Sequence, residues 1–137
     1  MKTVVYDGEL NGAYESPAGY DIKLKKLVKF DIEKGYYLFS TGLKLEMPDD
    51  VFAIVKARSS TMKRYGVMVL DGVIDSDYRN EVFVQVLVPV DDIDIKILKG
   101  KSIAQIVFFN KPNIRLVKGK VENNTYRGLK GFGSSDE

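Results

Sequence analysis

The chain has 137 residues, is 45% hydrophobic and carries a net charge of +2; it is long enough for one domain with a modest core and has too little basic excess for a duplex nucleic-acid binder. It contains no histidine and no cysteine, which excludes thiolate and histidine nucleophiles, disulfides and the usual Cys/His zinc sites. Acid–base chemistry falls to Asp, Glu, Tyr or Lys, and the metal that suits such a chain is a hard cation on oxygen ligands, Mg2+ foremost.

The chain opens on "MKTVVYDGEL", whose short apolar run is cut by Asp7 and Glu9. That is no signal-peptide layout, and no later run reaches the roughly 20 apolar residues of a membrane helix. With no cysteine to oxidise, a cytoplasmic or nuclear setting is expected, with no membrane and no nucleic-acid partner. "PAGYD" (17–21) follows. Gly19 permits close backbone approach, and Asp21 begins a strand where a carboxylate could serve a metal or simply follow a turn. Lys23, Lys25, Lys26 and Lys29 read as the solvated face of a strand. After the turn "MPDD" (47–50), "VFAIVKA" (51–57) alternates as a strand.

"RSSTMKRYG" (58–66) breaks the β pattern. Ser59 or Ser60 caps a short helix and Gly66 stops it. Arg58, Ser59 and Ser60 at a helix start suit an anion, and equally an ordinary cap beside a surface arginine. "GVIDSDYRN" (72–80) begins as a strand and then sets Asp75 and Asp77 on one face, with Ile74, Ser76 and Tyr78 on the other. A carboxylate held there is either a general base or a turn acid bonding its own backbone.

Downstream, "EVFVQVLVPV" (81–90), "IDIKI" (93–97), "SIAQIVFF" (102–109) and "IRLVKGK" (114–120) all alternate as strands, with turns at "KG" (99–100) and "NKPN" (110–113). Gln105 is the odd polar residue of its strand, a ligand contact or a wet-face side chain. The close, "RGLKGFGSSDE" (127–137), is glycine-rich, with Phe132 set between glycines. Such a tail can wrap phosphates, and its ring can stack on a planar ligand. Many short strands and one short helix predict an all-β sandwich or barrel over 1–122, with a flexible arm over 123–137.

The order of "AGYD", "RSS", "GVIDSDY", "IAQIV" and "RGLKGFGSS", spread from Ala18 to Ser135, resembles the five ordered motifs of the trimeric dUTP pyrophosphatases, the dUTPases. The resemblance implies a β-barrel or jelly-roll subunit in a threefold homotrimer with sites shared between subunits, and hydrolysis of dUTP to dUMP and pyrophosphate with Mg2+. Residue by residue it implies that Asp75 contacts the sugar 3′-OH and activates water, and that Tyr78 packs under the deoxyribose. A hairpin spanning Leu70, Gly72, Val73 and Ile74 would read uracil through its backbone, and Asp21 would hold Mg2+ through water. Arg58, Ser59, Ser60 and Gln105 match phosphate contacts, while Arg127, Phe132, Gly133, Ser134 and Ser135 match the closing arm, with Phe132 over the base. Asn80 and Lys130 stand where the motifs usually carry glycine, and no longer C-terminal element is expected beyond the arm. The alternatives are a dCTP deaminase-like enzyme, whose required glutamate falls at Gln85 here, and a dUTPase-like nucleotide-binding or signalling module.

Overall fold

Alternation along the valine-rich segments sends one set of side chains inward and the other outward, and two sheets closing on the inward set make the fold. The computed structural model describes residues 1–12, 17–90 and 93–133. In chain order it comprises β1 (Val5–Asp7), β2 (Tyr20–Ile22), β3 (Lys26–Asp31), β4 (Tyr36–Ser40), β5 (Lys44–Glu46), β6 (Val51–Ala57), helix α1 (Thr61–Tyr65), β7 (Met68–Val69), β8 (Gly72–Ile74), β9 (Phe83–Leu87), a 3-10 turn (Ile95–Leu98) and β10 (Ala104–Asn110). One sheet has the order β2-β10-β6-β8, a second β3-β4-β9-β7, and β1 pairs with β5 apart from both. All the strand pairs are antiparallel.

Val51, Ala53 and Val55 of β6, Ala104 and Ile106 of β10, and Val84 and Val86 of β9 meet Phe39, Leu43 and Leu98 in the core. The outward rows matter more for function. Across β10 and β6, Gln105 pairs with Lys56, Val107 with Ile54 and Phe109 with Phe52. Val73 of β8 extends the middle row, and the Phe52 and Phe109 rings stack at 5.4 Å. The outside of this sheet is therefore apolar through its middle.

Helix α1 forms where expected. Ser60 is its N-cap, although its hydroxyl makes no cap bond, and Gly66 ends it at φ +68°, a conformation that favours glycine. Four expectations need correction. The strand expected over 81–90 holds only from Phe83 to Leu87. Pro89 has no N–H to give a ladder, and the Val88 N–H turns to the Gly35 carbonyl. Residues 93–97 do not form a strand. The Asp94 carboxylate accepts the Lys96 N–H at 3.0 Å and so starts a 3-10 turn, which brings Ile95 and Leu98 onto the core side. Residues 114–120 form no strand either. Ile114, Leu116 and Val117 are exposed, because a strand needs a paired edge and none among the described residues reaches them. Finally, Leu70–Ile74 is no hairpin: β7 pairs with β9 and β8 with β6, so the chain crosses there from one sheet to the other.

Candidate active site

The first group of functional side chains gathers where β2, β10 and the end of β6 lie side by side. Register sets Asp21 opposite Gln105, and Gln105 opposite Lys56. Arg58 follows β6 and reaches back, its Nε standing 3.0 Å from Asp21 Oδ1 while its Nη1 donates to the Ser102 carbonyl. The Gln105 amide donates to the Ala57 carbonyl at 3.0 Å. Gly19 lets this packing occur, since a Cβ there would stand 2.1 Å from Gln105 Oε1. Gly19, Asp21, Arg58, Ser59 and Gln105 line one open cavity. Thr61, which the sequence reading passed over, fixes its floor. Its buried hydroxyl donates to the Ile103 carbonyl at 2.6 Å and accepts the Arg58 N–H at 3.0 Å. A buried hydroxyl is stable only with such partners; its place directly after "RSS" was the signal.

The second group is the turn after β8. The Tyr78 N–H bonds the Asp75 carbonyl at 3.0 Å and closes a turn. Asp75 and Asp77 are exposed while Ser76 and Tyr78 are half-buried, as the alternation required. Ser76 was not singled out, yet its hydroxyl donates to the Val51 carbonyl at 2.6 Å and pins the turn to the start of β6. Asp75 opens onto a cavity with Asp49, Phe52, Asp77 and Lys111. On the turn's other side, Gly72, Val73, Ile74, Tyr78 and Phe83 line a more apolar cleft. β8 is an edge strand, so one side of its backbone has no strand neighbour. The Leu70 N–H is occupied by the Gln85 carbonyl at 2.9 Å, which leaves reading by Leu70 to its carbonyl. The Tyr78 hydroxyl donates to the Glu81 carbonyl at 2.7 Å, and Asn80 Oδ1 accepts the Glu81 N–H.

These two groups do not meet within one chain. Ile74 pairs with Ala53, five residues before Arg58 along β6 and its continuation. At about 3.3 Å per residue, Ile74 and Arg58 lie about 16 Å apart along the strand, and Asp75 stands one residue further off.

The third group is the arm, whose described side chains line neither cavity. Arg127 bonds the Lys130 and Gly131 carbonyls, and Phe132 is fully exposed. Gly133 has φ +82°, and Ser134 and Ser135 lie outside the described residues. Gln85, where a deaminase would need a carboxylate, holds an amide whose Oε1 accepts the Tyr36 hydroxyl at 3.0 Å. A separate apolar cavity between Tyr6, Leu10, Tyr20 and Phe108 has Lys2 as its charged lining residue, and Lys2 is already held by Asp50 and Asn110.

Residues 9–136 match the family model described as dUTPase. Curated relatives carry the name deoxyuridine 5′-triphosphate nucleotidohydrolase. The protein of Mesorhizobium japonicum is 35% identical over 90% of this chain and 80% of its own length, and that of Clostridium novyi 34% identical over 90% and 87%. The match to the Beijerinckia indica relative, 38% identical, takes in 74% of this chain and spans 64% of that protein. Among solved structures, a mutant dUTPase of phage 80alpha superposes with a TM-score of 0.77 at 19% identity, covering 97% of this chain and 98% of its own. The native EIAV dUTPase gives 0.65 at 19% identity, covering 90% and 99%. At that identity the structures establish the shared fold.

Proposed function

This chain belongs to the dUTPase family, and on that premise we propose that it hydrolyses dUTP to dUMP and pyrophosphate at sites that copies of the chain build together. Uracil lies against the open edge of β8, where the backbone of Gly72, Val73 and Ile74, with the Leu70 carbonyl, offers donors and acceptors without side-chain help. Tyr78 packs under the deoxyribose and leaves no room for a 2′-OH. The Asp75 carboxylate takes a proton from water as the water oxygen bonds to the α-phosphorus. The bond from that phosphorus to the bridging oxygen breaks, and pyrophosphate leaves. Arg58, Ser59, Ser60 and Gln105 bind the phosphate oxygens.

Asp21 is the one carboxylate in the phosphate cavity, and no cluster of three or more metal-ligating side chains occurs among the described residues. That donor set fits Mg2+, which keeps its waters and takes one or two carboxylates beside substrate phosphates. Asp21 would hold it through water, where its charge offsets that of the phosphates. Residues 1–122 serve as the domain, and 123–137 as the arm that closes on a bound nucleotide, with Arg127, Gly133, Ser134 and Ser135 toward the phosphates and Phe132 over the base.

The observation that carries the shared site is the separation of its halves. More than about 16 Å along β6 is farther than the α- and γ-phosphates of one nucleotide reach, so Asp75 and Arg58 of one chain serve different substrates. Both halves border the apolar outer face of Phe52, Ile54, Val107 and Phe109. A head-to-tail contact across that face joins one chain's Asp75 end to the next chain's Arg58 end, and a ring of three closes it. The test mixes two inactive variants, Asp75→Asn and Arg58→Gln, after unfolding and joint refolding, and follows dUMP and pyrophosphate. Shared sites return about a quarter of wild-type turnover, since half the Asp75 and half the Arg58 contributions are intact in random rings. Sites built within one chain return none.

A further inference from the structure

Tyr78 is held at its hydroxyl, and what holds it is itself held. The hydroxyl donates to the Glu81 carbonyl at 2.7 Å. The half-buried Glu81 side chain turns away from this bond toward the loop after β4. There Glu81 Oε1 accepts two successive backbone N–H groups, Thr41 at 3.0 Å and Gly42 at 2.6 Å. Gly42 sits at φ +71°. That left-handed residue makes consecutive N–H groups converge into a concave anion seat. Thr41 reinforces it. Its hydroxyl is buried, donates to the Val82 carbonyl at 2.6 Å and accepts the Leu43 N–H at 3.1 Å. The Val82 N–H closes the frame on the Leu43 carbonyl at 2.8 Å.

We propose that Glu81 is a positioning residue for sugar selection: its carboxylate, seated on the Thr41 and Gly42 N–H groups, fixes the carbonyl that sets the height of the Tyr78 ring. Charge-assisted bonds to backbone N–H groups are short and strong, so this seat resists the small shift that would open space under the 2′ carbon. A phenol ring free to tilt would still cover the sugar but would no longer exclude one extra oxygen. This rests on the reading of Tyr78 as the sugar gate.

The experiment measures kcat and KM for dUTP and UTP in the full chain and in Glu81→Ala, Glu81→Gln, Tyr78→Phe and Tyr78→Ala. Glu81→Ala narrows the ratio of the two kcat/KM values about tenfold, the weight of one such bond. Glu81→Gln keeps an acceptor oxygen and stays within about threefold of wild type. Tyr78→Phe narrows the ratio as Glu81→Ala does, and adding Glu81→Ala to it changes little more, because both break one link. A purely structural Glu81 lowers both substrates equally and leaves the ratio unchanged, which overturns the proposal. If Glu81→Ala does not fold, Tyr78→Phe with an unchanged ratio overturns it as well. An unchanged ratio in Tyr78→Ala removes the sugar gate itself, and the proposal with it.

Discussion

Asp75 stands exposed at the end of a strand rather than inside the core, and its neighbours define what it can do. Ser76 anchors the turn to β6 and Tyr78 closes it, so the carboxylate has a fixed place, as the proposed general base needs. Asp75→Asn keeps the shape and removes the basicity. Turnover of dUTP should fall about 10²–10⁴-fold while nucleotide affinity changes little; single-turnover kinetics beside calorimetric titration separate the two. Turnover close to wild type would give Asp75 a different job. Asp21 and Arg58 answer to each other in the same way: their ion pair at 3.0 Å orders both side chains. The alternation in "GVIDSDYRN" placed Asp75 outside and Tyr78 half inside. Nothing in that stretch could reveal that Tyr78 depends on a carbonyl, because backbone partners have no letter in a sequence.

Elements with a core to bury were legible; elements whose partner lies elsewhere were not. β6 runs from Val51 to Ala57 as its alternation required, since its inward valines have a facing sheet. The run at 93–97 has the same alternation, but one carboxylate, Asp94, captured a backbone N–H and a turn won. The run at 114–120 has the pattern without the pairing. Beyond Asn110 the backbone continues with its apolar side chains in the open, Leu116 and Val121 about nine-tenths exposed. The arm beyond it has too little apolar content to fold alone, and on the proposed function it gains further partners from a bound nucleotide. Hydrogen exchange over residues 125–133 should therefore slow when a non-hydrolysable dUTP analogue binds. Truncation after Asn124 should leave the β-sandwich intact by circular dichroism and remove most turnover. Equal exchange with and without the analogue, or full activity of the shortened chain, would reduce the arm to a surface tail.

For the molecule as a whole, the outward-facing row of half-buried Phe52, Ile54 and Val107 with exposed Phe109, between two charged ends, is the feature that asks for company. An apolar face of that kind with unlike ends favours a head-to-tail contact, and such contacts form rings when the rotation closes. Light scattering should return three times the 15.4 kDa chain mass, and an active species of single-chain mass would remove the shared site. The proposed splitting of the chemistry between the ends of one strand also has a consequence for heredity. When a cell makes intact and damaged chains in equal amounts, a chain lacking only Asp75 spoils one site in the ring, and about half the activity remains. A chain lacking both Asp75 and Arg58 spoils one site on each side of itself, and only about a quarter survives. Two lesions on one allele are then more dominant than either alone, although every intact chain is still present.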